Sequence, residues 1–519
     1  MTIQSTTVEQ RQKNDSWSLV EKAAILLFLG NLLMRVIIAA TLPITYKEAY
    51  FWEWSLFPSL GYLDHPPMIA WMIHLATMPF EQISVWIVRA VPIVLGSASL
   101  GLLYRLSCRM FNREVGARAV ILAMCTPVLT ATWLLALPDT ALLFFQLLAF
   151  NIVADITMDN RPFRWIALGI VIGFALLSKL VIILSLAAAL VFVMASRGGG
   201  IRVRDIATTT ATALVVSGPY WWWNMTTRWR ALELQAWERH FYDFGFSFGK
   251  FFEVWFEQVA AASPLLLPLF VWTLFVGHRH LPDHWRAPYR MLRLQAVIAG
   301  GVVIVAGSFI SQTHPHWTIL AYPPAAILLA VAWSTCPEHW MIQRIPVAIK
   351  SLVVIGAISV IVVGAIPQVV VHVKPEMLTP QLGRGLVKGK QRLLGYGEVK
   401  DAVEQILEEQ LLDIDTQIFT DSYHFGAPLA FALQRGPVIC LDAYGSRSPL
   451  MGHAQRLYLP RQTITGTGGL YIARGDRSEV EAHLQSLFGE VEPLPPIKQV
   501  FAGETVAQYC VFRVTDFFP

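Results

Sequence analysis

Residues 46–67 (YKEAYFWEWSLFPSLGYLDHPP) gather Glu48, Glu53, Asp64, Lys47 and His65 among seven aromatic side chains. A carboxylate in such a setting can serve as general base toward a hydroxyl. A Lys, Arg or His can stabilise negative charge developing on a phosphate leaving group. Further along, Asp139 follows Pro138, Lys179 interrupts an apolar stretch, and His314, His316 and Trp317 surround Pro315. Acid, base and cation together are what group transfer onto a hydroxyl requires. Not all of these residues need serve that end. Glu53, amid aromatics, reads as a water-facing side chain, and Asp139 could simply cap the helix after it. The two histidines could be interfacial belt residues.

The elements that must position these groups are apolar. The chain has 519 residues, of which 55% are hydrophobic and 15% charged, and its mean hydropathy is +0.50. A soluble protein carries roughly 25% charged residues, and windows of about 20 apolar residues, the bilayer-spanning length, recur here. The composition predicts a polytopic α-helical membrane protein, and gives no indication of nucleic-acid binding. Expected spans cover residues 23–42, 86–106, 119–137, 141–156, 206–221, 264–276, 294–310, 318–333 and 349–371, with two shorter runs at 165–177 and 181–194. Residues 68–78 are apolar but too short to cross. About eleven spans result, and the Arg and Lys clusters between them place the N-terminus in the cytoplasm. Residues 1–371 form the membrane module, with a first external loop at 43–85. Residues 372–519 read as an α/β domain on the outer side. Strands are expected at 416–420, 438–441 and 509–514, and helices at 423–434, 398–412 and 477–488.

Glu48, Asp64, His65, Asp139, Lys179, His314 and His316 all fall on the outer face in this scheme. Lys179 fits the tip of a hairpin of two short helices, since a lysine at the centre of one long span would cost ~2.5–3.5 kcal/mol. Arg35 lies within the first span and either snorkels to the interface or pairs with a carboxylate or lipid phosphate. The five cysteines include no CxxC pair, which gives no metal or redox motif. Cys440 and Cys510 fall in expected strands and are either a disulfide or two buried thiols.

The run KEAYFWEWS…GYLDHPP resembles the first external loop of the polyprenyl-phosphate-sugar glycosyltransferases. These form the protein-O-mannosyltransferase-like branch of the GT-C superfamily, which includes the lipid A aminoarabinose transferases. The segments LPDTALLFF, LLSK, PYWWWN, HPHWTILAYPP and DSYHFGAPLAFAL follow in the order of that family. The resemblance implies transfer of a sugar from an undecaprenyl-phosphate donor to a hydroxyl of a glycolipid or protein acceptor. The reaction would invert the anomeric centre, at the periplasmic side of a bacterial inner membrane. It carries catalytic roles onto Glu48, Asp64 and Asp139, with the base either Glu48 or Asp64. It gives donor phosphate binding to His65 and Lys179; the residues themselves add Arg35 to that role, and Tyr50, Tyr62, His314, His316 and Trp317 as lining of the substrate site. Lys47 stands where the family has the Asp of an Asp-Glu pair. A potential ligand is thereby missing, so no cofactor is expected, with a divalent metal as the weakly supported alternative. A lipid or sugar-lipid transporter is the alternative from another class, but internal repeats of the transporter kind are not evident. An inactive family member is the other alternative.

Overall fold

The computed structural model describes residues 17–158, 162–188, 202–233, 245–275, 281–310, 314–347, 349–351, 373, 380–413, 415–441 and 466–518. By contacts the chain divides into two compact units. The first comprises Met1–Val36, Pro92–Gly218 and His240–Ala357, and the second Ile37–Val91, Pro219–Arg239 and Ile358–Pro519.

The helices in chain order begin with α1 (Leu19–Thr41), α2 (Tyr46–Leu56), α3 (Met68–Thr77) and α4 (Val85–Met110). Next come α5 (Arg113–Met124), α6 (Pro127–Thr132), α7 (Pro138–Met158) and α8 (Pro162–Ser178). They continue with α9 (Val203–Thr226), α10 (Phe248–Ala262), α11 (Leu267–Phe275), α12 (Asp283–Gly307) and α13 (Tyr322–Thr335). Among the described residues, five stretches are long and apolar enough to cross a membrane. They are Leu19–Thr41, Val85–Met110, Pro138–Ile156, Asp283–Gly307 and Pro315–Thr335. A sixth would be α10 with α11, which meet at a bend of 107°. The expected span at 349–371 lies almost wholly outside the described residues, and that at 181–194 partly so.

The expected span at 119–137 is not one helix. α5 stops at Met124 and α6 restarts with Pro127 at its first position. A proline lacks the N–H that would continue the ladder and pushes the residue before it away from helical dihedrals. Pro138 does the same and opens α7. The apolar run at 68–78 forms the short helix α3, which spans only ten residues.

In the first unit, Arg118 of α5 donates to Ser334 Oγ of α13 at 2.6 Å and lies over the Trp333 ring. Ser185 Oγ accepts from Gln295 Nε2 at 2.7 Å and Gln146 Nε2 at 3.1 Å, and the Gln146 amide also donates to the Leu320 carbonyl. This buried amide cluster joins α7 and α12, where a lone polar group would be costly in an apolar interior.

The second unit adds α14 (Pro380–Leu393), α15 (Tyr396–Glu409), β1 (Gln417–Thr420), α16 (Tyr423–Leu433), β2 (Ile439–Cys440), β3 (Gly469–Ala473), α17 (Arg477–Leu484), β4 (Phe488–Phe501) and β5 (Glu504–Phe517). The sheet order is β2-β1-β3-β5-β4. β1 pairs in parallel with both β2 and β3, so β1-α16-β2 is a βαβ unit, whereas β4 and β5 form an antiparallel hairpin. The expected strands and the helix between them at 423–434 hold. The helix expected to reach residue 488 instead stops at Leu484, and Phe488 begins β4. β4 is an outer strand carrying Pro493, Pro495 and Pro496. Cys440 and Cys510 are both free thiols. Phe419, Tyr471, Phe512 and Phe517, none of them exposed, centre the core of this sheet.

α2 is built into this α/β region. Trp52 meets Phe431 edge-on at 4.9 Å, Tyr50 meets Tyr423 at 5.2 Å, and Glu53 Oε1 accepts the Val438 N–H at 2.8 Å. Glu53 is therefore not the water-facing side chain the sequence suggests. It is fully buried because a βαβ connection supplies a backbone donor for its carboxylate.

Candidate active site

Two clusters, one in each unit, hold the residues singled out from the sequence apart from Arg35. In the second unit, Thr45 and Glu48 form a reciprocal capping box that starts α2: Thr45 Oγ1 accepts from Glu48 N, and Glu48 Oε2 accepts from Thr45 N at 3.1 Å. Such a box satisfies two donors that a helix start leaves open. Glu48 also accepts a two-pronged contact from Arg89 of α4, Nε to Oε1 at 2.8 Å and Nη2 to Oε2 at 2.7 Å, and neither side chain is exposed. Arg89 further donates to the Leu42 carbonyl at 2.7 Å and the Pro43 carbonyl at 2.9 Å. One guanidinium thus ties the end of α1, the start of α2 and α4 together. Sequence reasoning missed Arg89. The available signal was an arginine inside an expected span, which demands a carboxylate partner.

Two residues after Glu48, the Tyr50 hydroxyl donates to Asp64 Oδ2 at 2.6 Å, and both are buried. Tyr62 stacks on Trp54 with centroids 4.2 Å apart. Its hydroxyl donates to the Trp54 and Phe57 carbonyls and accepts from Ser59 N, which braces the turn between α2 and Asp64. A Cβ on Gly61 would collide with the Trp223 and Tyr220 rings, so a glycine is needed for that close approach. His65 is half-buried, its ring 5.9 Å from Phe51.

In the first unit, Asp139 lies in the first turn of α7, where a carboxylate suits the helix dipole. Lys179 follows directly on the last residue of α8, at the break expected from its charge. Its Nζ lies 3.0 Å from Asp139 Oδ1 and 3.3 Å from Oδ2. His316 Nε2 stands 3.9 Å from Asp139 Oδ2. His314 stacks on His316 with centroids 5.5 Å apart and meets Trp317 edge-on. Asp139, Lys179, His314, His316 and Trp317 therefore come together across 178 sequence positions, from helix ends separated by several elements. Arg35 is fully buried, so it does not snorkel. It donates to Ser97 Oγ at 3.2 Å and the Trp133 carbonyl at 3.4 Å. Gly96 leaves room for that packing, since a Cβ there would strike Trp133 and the Arg35 guanidinium. Among the described residues there is no group of three His, Cys, Asp or Glu suited to a metal ion.

A family model described as dolichyl-phosphate-mannose-protein mannosyltransferase matches residues 64–223. The lipid A galacturonosyltransferase RgtD of Rhizobium johnstonii is 23% identical over 506 residues, covering 94% of this chain and 98% of that protein. The crystal structure of ArnT from Cupriavidus metallidurans bound to undecaprenyl phosphate superposes with a TM-score of 0.62 at 15% identity, covering 94% of this chain and 97% of that one. Its apo form gives 0.61 at 16% identity. The chain is a glycosyltransferase with the fold of ArnT. The segments that bear the family resemblance in sequence are also those that carry the two clusters. In this chain the first loop is braced by Arg89, and the end of α8 by the Asp139–Lys179 pair.

Proposed function

We propose that this chain moves a sugar from an undecaprenyl-phosphate-linked donor to a hydroxyl of a glycolipid acceptor at the periplasmic face of a bacterial inner membrane. The observation that carries the reading is the Asp139–Lys179–His316 cluster in a chain similar along nearly its whole length to a lipid A glycosyltransferase. The acceptor oxygen attacks the anomeric carbon from the face opposite the phosphate. The bond from that carbon to the phosphate oxygen breaks with its electron pair, releasing polyprenyl phosphate. A carboxylate takes the acceptor proton. A single displacement of this kind inverts the anomeric centre.

Asp64 fits the base better than Glu48. Both Glu48 oxygens are held by Arg89 and one also caps its own helix, which commits Glu48 to structure; Asp64, whose Oδ2 accepts the Tyr50 hydroxyl, is the other carboxylate of the same loop. Glu48 then positions the loop. Lys179 and His65 supply positive charge for the departing phosphate, with Asp139 orienting Lys179. Tyr50, His314, His316 and Trp317 line the substrates, Tyr62 braces the loop that carries Asp64, and Arg35 is assigned to the donor phosphate. The full set of about eleven spans, the cytoplasmic N-terminus and the outward location of residues 372–519 belong to the same reading, supported by the Arg105, Arg109, Arg113 and Arg118 cluster.

Purified protein incubated with an undecaprenyl-phosphate sugar and lipid A should release free undecaprenyl phosphate, with an inverted glycosidic bond in the product. Asp64→Asn should lower kcat at least a thousandfold, and Lys179→Met should raise the donor KM by tenfold or more. Near-normal kcat in Asp64→Asn would remove Asp64 from the base role. Absence of release from the native protein would remove the reading itself.

A further inference from the structure

α7 carries Asp139 in its first turn and Gln146 seven residues later. Seven residues are close to two helical turns, so both side chains share one face of α7, about 10 Å apart along its axis. At the first level, Asp139 meets Lys179 and His316. At the second, the single Gln146 amide donates to the Ser185 hydroxyl at 3.1 Å and to the Leu320 carbonyl at 2.9 Å. Ser185 stands six residues beyond Lys179, and Leu320 four beyond His316. The same two segments are therefore tied to α7 at both levels.

The Leu320 carbonyl has a particular need of this donor. It lies where the 3₁₀ helix Pro315–Ala321 passes into α13. Its helical donor would be the N–H of residue 323 at 3₁₀ spacing or of residue 324 at α spacing. Those positions are Pro323 and Pro324, and proline has no N–H. Leu320 and Gln146 are both buried, where an unpaired carbonyl is costly. A carbonyl only accepts, so the Gln146 atom facing it is the amide nitrogen. The Ser185 oxygen is fixed in turn by Gln295 Nε2 at 2.7 Å.

We propose that Gln146 is a positioning residue: its amide sets the register of the two segments that deliver Lys179 and His316 to Asp139. The effect on the donor rests on the transferase reading, whereas the register itself does not.

The full-length protein in nanodiscs is compared with Gln146→Met, which keeps the side chain's length and loses both N–H contacts. Diethyl pyrocarbonate modification of His316, read by peptide mass spectrometry, reports register in the resting protein without turnover. Its rate should change about threefold or more. In the steady state the donor KM should rise about fivefold, with the acceptor KM altered less than about twofold. Because the effect acts through Lys179, adding Gln146→Met to Lys179→Met should raise the donor KM less than about twofold further. Ser185→Ala removes one of the two ties and should raise the donor KM about twofold, which keeps the test open if Gln146→Met does not fold. Ser334→Ala, which removes a tie elsewhere in the same unit, should move neither readout. Native values in Gln146→Met overturn the proposal, as does a KM effect that multiplies in full with that of Lys179→Met. An equal response in Ser334→Ala overturns it too, since general loosening then suffices. Altered His316 modification without undecaprenyl phosphate release from the native protein spares the positioning role and removes the transferase reading. Release by the native protein with unaltered modification in Gln146→Met does the reverse.

Discussion

Replacing Glu48 separates a structural role from a chemical one. Glu48 and Arg89 share two contacts at 2.7 and 2.8 Å with no exposure on either side. Removing one partner of such a buried pair costs about 3–5 kcal/mol, because the other charge stays uncompensated. Glu48→Gln keeps an acceptor for Thr45 N and one neutral contact to Arg89, which recovers about 1 kcal/mol. The expected loss is therefore about 3 kcal/mol. Arg89→Met also abandons the Leu42 and Pro43 carbonyls, for an expected loss of about 4 kcal/mol. If the two effects were independent, the double variant would lose about 7 kcal/mol. With both charges gone it should lose only about 3 kcal/mol, a coupling of about 4 kcal/mol. Unfolding of the purified protein by SDS in mixed micelles, followed by tryptophan fluorescence, reads all four corners of the cycle. Additive losses would refute the pairing argument. Native unfolding of Glu48→Gln with lost turnover would return Glu48 to the base role.

Two other outcomes follow from the second unit. Glu53→Ala leaves the buried Val438 N–H without its acceptor, costing about 1–3 kcal/mol, and hydrogen exchange at residues 434–440 should quicken tenfold or more, while Glu53→Gln should change it little. His424 has a folded-state pKa of about 4 against an ordinary value of 6.5. Its contribution to stability is complete above about pH 6.5 and is lost as pH falls toward 4, because the unfolded chain binds the proton first. After discounting for solvent screening this amounts to roughly 2 kcal/mol. His424→Gln should flatten that stretch of the stability profile, and an unchanged slope would count against the assigned cause.

Composition and charge spacing made the helical membrane character and the Asp139–Lys179 region legible, because a lysine between apolar runs has few tolerable places. The βαβ unit was legible too: apolar strand runs flanking Tyr423–Leu433 leave little choice of local structure. Glu53 was not, since its partner Val438 lies 385 residues away and nothing local announces a buried acceptor. The break at Thr126-Pro127 was overridden by the apolarity around it, although the proline was the better guide. β4 was invisible for the opposite reason. Pro493, Pro495 and Pro496 argue against a strand within a sheet interior, but an outer strand tolerates them.

That outer position has a consequence for self-association. A bare ladder of amide donors is a template for another molecule's backbone, and proteins blunt such margins to stay apart. Adjacent Pro495 and Pro496 face opposite flanks of β4, so at least one missing amide hydrogen spoils the template on its outer side. On the opposite flank, β2 offers only two residues among those described. Strand addition is thus discouraged along the described edges of the sheet.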